Sequence, residues 1–513
     1  MSSVFAWYAA VLWLLAFADE AESATTRTKV VILGGGYAGM QVAKTLSDNG
    51  VDDFIVLEAQ ERAGGRMLSG SLQGLPAEYL WGRVDTRESV SDILRDLFDS
   101  CNLAYSPLDY SRYQAVNDRG VNVTVEASQA EKRLSNSVSQ LKAAWKDGVF
   151  EGQDDMSVRA ALRLYGWIAK SPVEWAVEFY WFQLETVDQL AAMSAKEYLW
   201  LSEFYKTQQY IKSGNSFEGI QKMTECFKNT FASGQYSDRL RLNSLVRTIQ
   251  YSDDSVTVTL EDGSVYIAEY AVVTFSLGVL QHDDVTFTPK LPLWKRIAIT
   301  RFYMTPMTVV YAYYKPKARR RLDSRNMFVS DDRGRYHWSI EITQVIENTL
   351  EHSQSYDLFM TWVIDDDAFR VEGQPLNQTQ QEVTELFRKH YGPSFPEPQV
   401  FVSNITLNPL YYGGMTVPPL GSTHEDLDQL RAPVGRIFFA GDSYHYNLYV
   451  RSALISGNET AYVLIDCMNG GSCTMPKLAE ETSQTCTSGT QIKCPLATHL
   501  LLFLLLKTIY LMM

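Results

Sequence analysis

Residues 29–67, KVVILGGGYAGMQVAKTLSDNGVDDFIVLEAQERAGGRM, decide the fold. The apolar run Val30–Leu33 reads as a buried strand. It runs into Gly34, Gly36 and Gly39, a GxGxxG turn. The spacing predicts a helix from about Ala38 to Asn49 and a second strand from Phe54 to Leu57 that ends at Glu58. Each part has a physical task. Gly34 permits the tight turn, Gly36 lets the backbone approach a pyrophosphate, and Gly39 lets the helix lie close on the sheet. The helix start offers unpaired N–H groups and a positive dipole end to phosphate oxygens. Glu58, roughly 20 residues on, is placed to accept hydrogen bonds from a ribose. A glycine-rich loop in an unrelated fold would leave Glu58 unexplained.

Gly64-Gly65-Arg66 follows. Two glycines open the backbone again, and a guanidinium can pair with a second face of the pyrophosphate. The LEAxxxxGGR pattern resembles the FAD-binding flavin amine oxidases, and polyamine oxidases most closely. The resemblance continues downstream. Phe275-Ser276-Leu277-Gly278-Val279-Leu280 is similar to the family's "vPLGVL", and Phe287 to Lys295 to its "F.PpLP.wK". Phe439-Ala440-Gly441-Asp442 stands where the family has "FAGE", and Tyr449 to Gly457 where it has a stretch like "GYVHGAYLSG". A nicotinamide enzyme does not account for the GGR and late GD segments.

The resemblance implies an α/β fold, with an FAD-binding Rossmann-like domain interleaved with an α+β substrate domain. The expected boundaries are a signal peptide over 1–24 and FAD-binding parts at 28–105, 231–290 and 426–466. A helical substrate part would cover 106–230 and a mixed-sheet part 291–425, with a linker and hydrophobic C-terminal signal over 467–513. FAD is the implied cofactor. Gly34, Gly36, Gly39, Glu58, Gly65, Arg66, Val246, Gly441, Asp442 and Val450 are the implied binding residues. The Val450 backbone N–H, at a helix start, would face the flavin N1/O2 edge and stabilise negative charge there.

In this family a hydride leaves the carbon beside a neutral amine nitrogen, the imine product hydrolyses, and O2 reoxidises the flavin to give peroxide. A small amine or polyamine is therefore the implied substrate and O2 the implied acceptor. Three features mark such a site, and this chain departs at each. A lysine on the strand after the "LP.wK" segment aligns with Thr308, or with Val309 one residue on. Lys295 and Lys315 lie too far along the chain to replace it. The aromatic cage keeps Tyr449 but has Met415 at its other wall, with Tyr411 or Tyr412 nearby. An acidic or His position beside the flavin is held by Trp81, with Glu78 close enough to bind a cationic group. Thr308, Tyr449 and Trp81 are the catalytic candidates, and Glu78, Tyr412 and Met415 the substrate candidates. Two readings follow: an altered amine oxidase, or an FAD-binding surface protein without that activity.

The 513 residues suffice for two domains with large cores. A net charge of −14 argues against nucleic acid as a partner. Val4–Ala18 fits a secretory h-region. Ser488-Gly489-Thr490, the polar spacer 491–499 and the apolar tail 500–513 are arranged as in a GPI signal, which predicts cell-surface attachment by a lipid anchor. The cysteines at 101, 226, 467, 473, 486 and 494 form no CxxC, which argues against zinc and for disulfides in a secretory setting. Sequons stand at Asn122, Asn377, Asn404 and Asn458, the last inside an expected FAD-contacting helix and so expected to be unused.

Overall fold

The computed structural model describes residues 25–67, 69–72, 75–78, 83–86, 93–103, 105–107, 113–183, 190–204, 209–213, 219–314, 325–330, 339–344, 357–445 and 449–478. Strand β1 (Thr25–Leu33), helix α1 (Tyr37–Asp48) and strand β2 (Phe54–Leu57) form the expected βαβ unit, with β1 and β2 parallel. Downstream come β3 (Val246–Tyr251), β4 (Val256–Leu260) and β5 (Val265–Val273). Strand β5 runs parallel to β1 along its whole length and antiparallel to β4 over its first half. Its last residues, Ala271–Val273, pair instead with β6 (Ile437–Phe439), again parallel. The centre β6–β5–β1–β2 is buried on both faces, which is why these strands are near-continuous runs of Val, Ile, Leu and Phe.

The stretch from Leu240 to Val246, whose alternation of apolar and polar residues reads as a single strand, is divided between two. Leu240–Arg241 extends the parallel sheet beside β2, while β3 begins at Val246 and pairs with β4. Asn243, at φ 53°, breaks the extended backbone between them. A mixed six-stranded sheet has the order Gln399–Val402, Met307–Tyr314, Asp357–Ile364, Ser339–Gln344, Arg325–Val329 and Tyr113–Asn117. Asp332-Arg333-Gly334, whose sequence reads as a hairpin turn, lies outside the described residues. Helices Thr124–Lys146, Val158–Leu164, Pro172–Glu178 and Ala195–Phe204 supply the helical part read from sequence, with Val177 and Leu199 on them and Trp167 and Phe182 between them in the core.

The last helix, α2 (Tyr449–Met468), returns from the far end of the chain and packs on α1. A Cβ on Gly457 would come within 2.5 Å of the Ala38 carbonyl oxygen, so glycine sets the spacing. Asn458 Oδ1 accepts from Thr45 Oγ1 at 2.8 Å and from Gln41 Nε2 at 3.4 Å. Its amide is thus held between two helices.

Two disulfides are present among the described residues. Cys101–Cys226 joins the end of helix Ile93–Ser100 to helix Gly219–Asn229, and Cys467–Cys473 closes the end of α2. No described helix is long and apolar enough to cross a membrane. Two outcomes are expected. Replacing Cys101 and Cys226 by Ser, which opens a crosslink spanning 125 residues, should cost about 2–5 kcal/mol, read as a lower urea midpoint. Glycopeptide mass spectrometry should find Asn458 unmodified.

Candidate active site

At the end of β1 the chain turns through Gly34 at φ 113°, where an added Cβ would lie 2.4 Å from Thr274 Oγ1. A Cβ on Gly39 would lie 2.0 Å from the Gly34 carbonyl oxygen. Helix α1 can therefore start this close to the sheet only with glycine at both places. Gly36 is its N-cap, with no side-chain cap and no acidic residue in the first turn. The positive helix end is left to whatever occupies the cavity beside it, which Gly34, Gly36, Tyr37 and Ala38 line.

The GGR loop forms the facing wall. Gly64 N donates to the Gly35 carbonyl at 2.9 Å, and a Cβ on Gly65 would come 3.2 Å from Gly36 Cα. Bare backbone from the two loops is thus in direct contact, and Gly34, Gly36, Gly64 and Gly65 together line the cavity with backbone that suits a pyrophosphate. Arg66 donates through Nη1 to the Gly414 carbonyl at 2.6 Å and pairs through Nη2 with Asp442. One guanidinium so ties the early loop to both late segments of the cavity wall.

Glu58 ends β2 and is 5% exposed. Its Oε2 accepts from Gly35 N at 2.7 Å, and its Oε1 accepts from Gln60 N at 2.9 Å. Burial pushes the carboxyl pKa up, and these hydrogen bonds oppose the shift without cancelling it. The carboxylate is fixed in place with lone pairs left for ribose hydroxyls.

Val246, Gly441, Asp442 and Val450 line the same cavity as Gly34, Gly36, Glu58, Gly65 and Arg66, so segments far apart in sequence converge on one site. Gly39 shapes it from behind. Val450 opens α2, which puts a second helix N-terminus on the cavity. These residues fit FAD: a backbone cradle for the pyrophosphate, a carboxylate for ribose, and a second helix start at the other end. Among the described residues no group of His, Cys, Asp or Glu could hold a metal ion.

The catalytic and substrate candidates converge less well. Met415 lines the cavity. Thr308 does not. It is fully buried, 3.2 Å from Ser403 Oγ, beside Met307, whose side chain instead meets Gly414 at the cavity. Tyr412, at φ 50°, stacks on His282 with ring centres 3.7 Å apart and is not among the lining residues, whereas Tyr411 is. Glu78 ends strand Leu75–Glu78 and Tyr449 begins α2, but their side chains, like Trp81 as a whole, lie outside the described residues. No lysine is among the described residues lining this cavity. Lys295 is fully buried, with its ammonium donating to the carbonyls of Leu430 and, at 2.8 Å, Ala432. Burial pushes its pKa well down, but those carbonyls sit at the end of helix His424–Arg431, so it caps that helix and serves no chemistry at the cavity.

Thr274 was missed from sequence. Its Oγ1 donates to the Leu33 carbonyl at 2.9 Å and locks the first turn to β5. The polar end of the apolar run Ala271–Val273 was the available signal. His445, three residues after Asp442, is pushed down to about 3 by burial and by Arg431 and Arg451 beside it, so it is neutral at physiological pH.

Comparison with known proteins agrees with this geometry. A family model described as flavin containing amine oxidoreductase matches residues 37–465. Polyamine oxidase 1 of Zea mays is 31% identical over 487 residues, covering 91% of this chain and 96% of its own. Polyamine oxidase 6 of Oryza sativa subsp. japonica is 29% identical, covering 88% and 93%. A solved structure of a putrescine oxidase double mutant superposes with a TM-score of 0.68 at 18% identity, covering 86% of this chain and 100% of that one, and shows the shared fold.

Glu58 yields a prediction with opposed signs. Its raised pKa means that the folded apoprotein binds this proton more tightly than the unfolded chain. Apoprotein stability therefore falls as pH rises from the ordinary 4.5 through the raised value. FAD affinity should rise over the same window, because ribose hydroxyls donate to the ionised form. Titration of apoprotein with FAD, alongside thermal melts across that window, checks both slopes. Glu58→Ala should weaken FAD binding about tenfold or more, since it strands the Gly35 and Gln60 N–H donors.

Proposed function

The chain belongs to the flavin-containing amine oxidoreductase family and uses FAD, and from that premise we propose that it oxidises a small polyamine or related amine. The observation that carries this reading is the continuity of the cavity from the Gly36 cradle to Val450 and Met415. A protein that merely stored FAD would need only the first half. The first relatives found, polyamine oxidases aligned over most of both chains, support the substrate class.

Bound FAD supplies the electron acceptor for oxidation of the C–H bond beside the amine nitrogen. The residues do the rest. Met415 is buried and Met307 packs on Gly414, so the described wall at that end is apolar. Such a wall disfavours an ammonium and so favours the neutral amine that must react. With FAD bound, the helix start at Val450 would set a positive dipole end against the cofactor and would stabilise negative charge on it. The imine formed then hydrolyses to an aldehyde and a shorter amine. O2 takes the two electrons and two protons and leaves as H2O2.

A surface location belongs to the same proposal. Disulfides Cys101–Cys226 and Cys467–Cys473 support it, since such crosslinks persist in oxidising compartments. The signal-like N-terminus and the GPI-like tail lie outside the described residues.

Anaerobic mixing with putrescine, spermidine, spermine and a set of monoamines should bleach the oxidised flavin spectrum with at least one of them, and admitting air should restore it. A flavin that stays oxidised against the whole set would overturn the reading and leave a flavoprotein without amine oxidation. Treating intact cells with a phosphatidylinositol-cleaving phospholipase should release the protein; retention on the cells would rule out the lipid anchor.

A further inference from the structure

The segment from Asn408 to Met415 forms one wall of the cofactor cavity through Pro409, Leu410, Tyr411, Gly414 and Met415. It has no helix, and only its last residue enters a strand. Its path is set by two positive φ values, 50° at Tyr412 and 132° at Gly413. The backbone of this strap is bonded at the far end, where Gly413 N donates to the Ile405 carbonyl at 3.3 Å and Gly414 N to the Thr305 carbonyl at 2.9 Å.

One phenol ties it by its side chain to the loop that follows Glu58. The Tyr411 hydroxyl donates to the Gly65 carbonyl at 3.1 Å and accepts from Gln60 Nε2 at 2.9 Å, with Arg62 Nη2 at 3.4 Å. The partners are the cofactor cradle itself. Gly65 lies against Gly36, and the Gln60 backbone N–H is bound to Glu58 Oε1. Side chains also bond the strap's backbone, from Ser276 Oγ to the Tyr411 carbonyl at 2.6 Å, from Arg66 Nη1 to the Gly414 carbonyl at 2.6 Å and from Thr305 Oγ1 to the Met415 carbonyl at 2.9 Å. The phenol is mostly buried, and burial raises its pKa, so it remains a donor at ordinary pH.

We infer that Tyr411 is a positioning residue that latches the strap against the 58–66 loop and thereby retains FAD. The Tyr411 ring sits in the wall, while its hydroxyl is spent on Gly65, Gln60 and Arg62 and so takes no part in the amine chemistry. For FAD to pass this wall the strap must part from the loop, and that breaks the hydroxyl's bonds to Gly65 and Gln60. The latch rests on the FAD reading of the cavity and is independent of whether any amine is oxidised.

The test uses the holoprotein without substrate. Tyr411→Phe keeps the ring and removes only the hydroxyl. It should release FAD about tenfold faster than the parent, followed by the rise in free-flavin fluorescence on dilution into an FAD-free buffer. Gln60→Leu removes one partner of that hydroxyl, together with the Gln60 bonds to Glu58 Oε1 and Arg62, and should also accelerate release. The double variant should accelerate release by less than the product of the two single effects, because both changes remove the Gln60–Tyr411 bond. Melting temperatures of the three apoproteins should match the parent's. An unchanged release rate in Tyr411→Phe, multiplicative effects in the double variant, or faster release that merely tracks a lower apoprotein melting temperature would each overturn the latch. A protein that holds FAD with these kinetics yet bleaches with no amine would leave the latch standing and remove only the polyamine reading.

Discussion

Helix α1 is held between two close backbone contacts, and the rest of the molecule is built around that fact. On one side Gly39 lets it touch the Gly34 carbonyl at the end of β1. On the other, Gly457 lets α2 touch the Ala38 carbonyl. A methyl group at either glycine would have to displace backbone rather than a flexible side chain, and packed interiors yield little to such a demand. The two contacts fix where both helices begin, Tyr37 for α1 and Tyr449 for α2. Those starts carry the positive dipole ends that the cavity presents to its cofactor.

Charge is then used sparingly and placed with care. Glu58 is buried and held by two backbone N–H groups, which orient it without a cation. Arg66 does the opposite task, joining an early loop to Asp442 and to the strap at Gly414. Lys295 lies wholly inside the protein, yet three nearby carbonyls at the end of one helix take up its ammonium, and the Phe439 ring lies 3.6 Å below it. Its chemical potential as a base is spent on architecture. Met415 lines the cavity and Met307 lies behind Gly414, where neither brings a charge.

Much of the cofactor site was legible in the sequence because its requirements are backbone requirements. A turn at positive φ, a helix lying flush on a sheet and a ribose carboxylate leave Gly34, Gly39 and Glu58 at fixed spacing. The substrate side was less legible. One residue of register along a strand moves a side chain to the opposite face, and the structure turns Thr308 toward Ser403 while Met307 meets Gly414. Likewise Tyr411 and Tyr412 are adjacent and identical in type. Only the turn at Tyr412 and Gly413 sends one into the cavity wall and the other onto His282.

The sequence by itself determined the βαβ unit, the FAD cradle and the family, since local glycine geometry and an acidic residue at the end of a strand need no distant partner to be recognised. The tertiary structure alone decided that Arg66 meets Asp442, that Asn458 is bonded to Thr45 of α1, that Cys101 pairs with Cys226 and that the Tyr411 hydroxyl closes on Gly65. Each of these joins residues far apart in the chain. No local pattern records such a meeting, because it is set by how the sheet, the helices and the strap pack together.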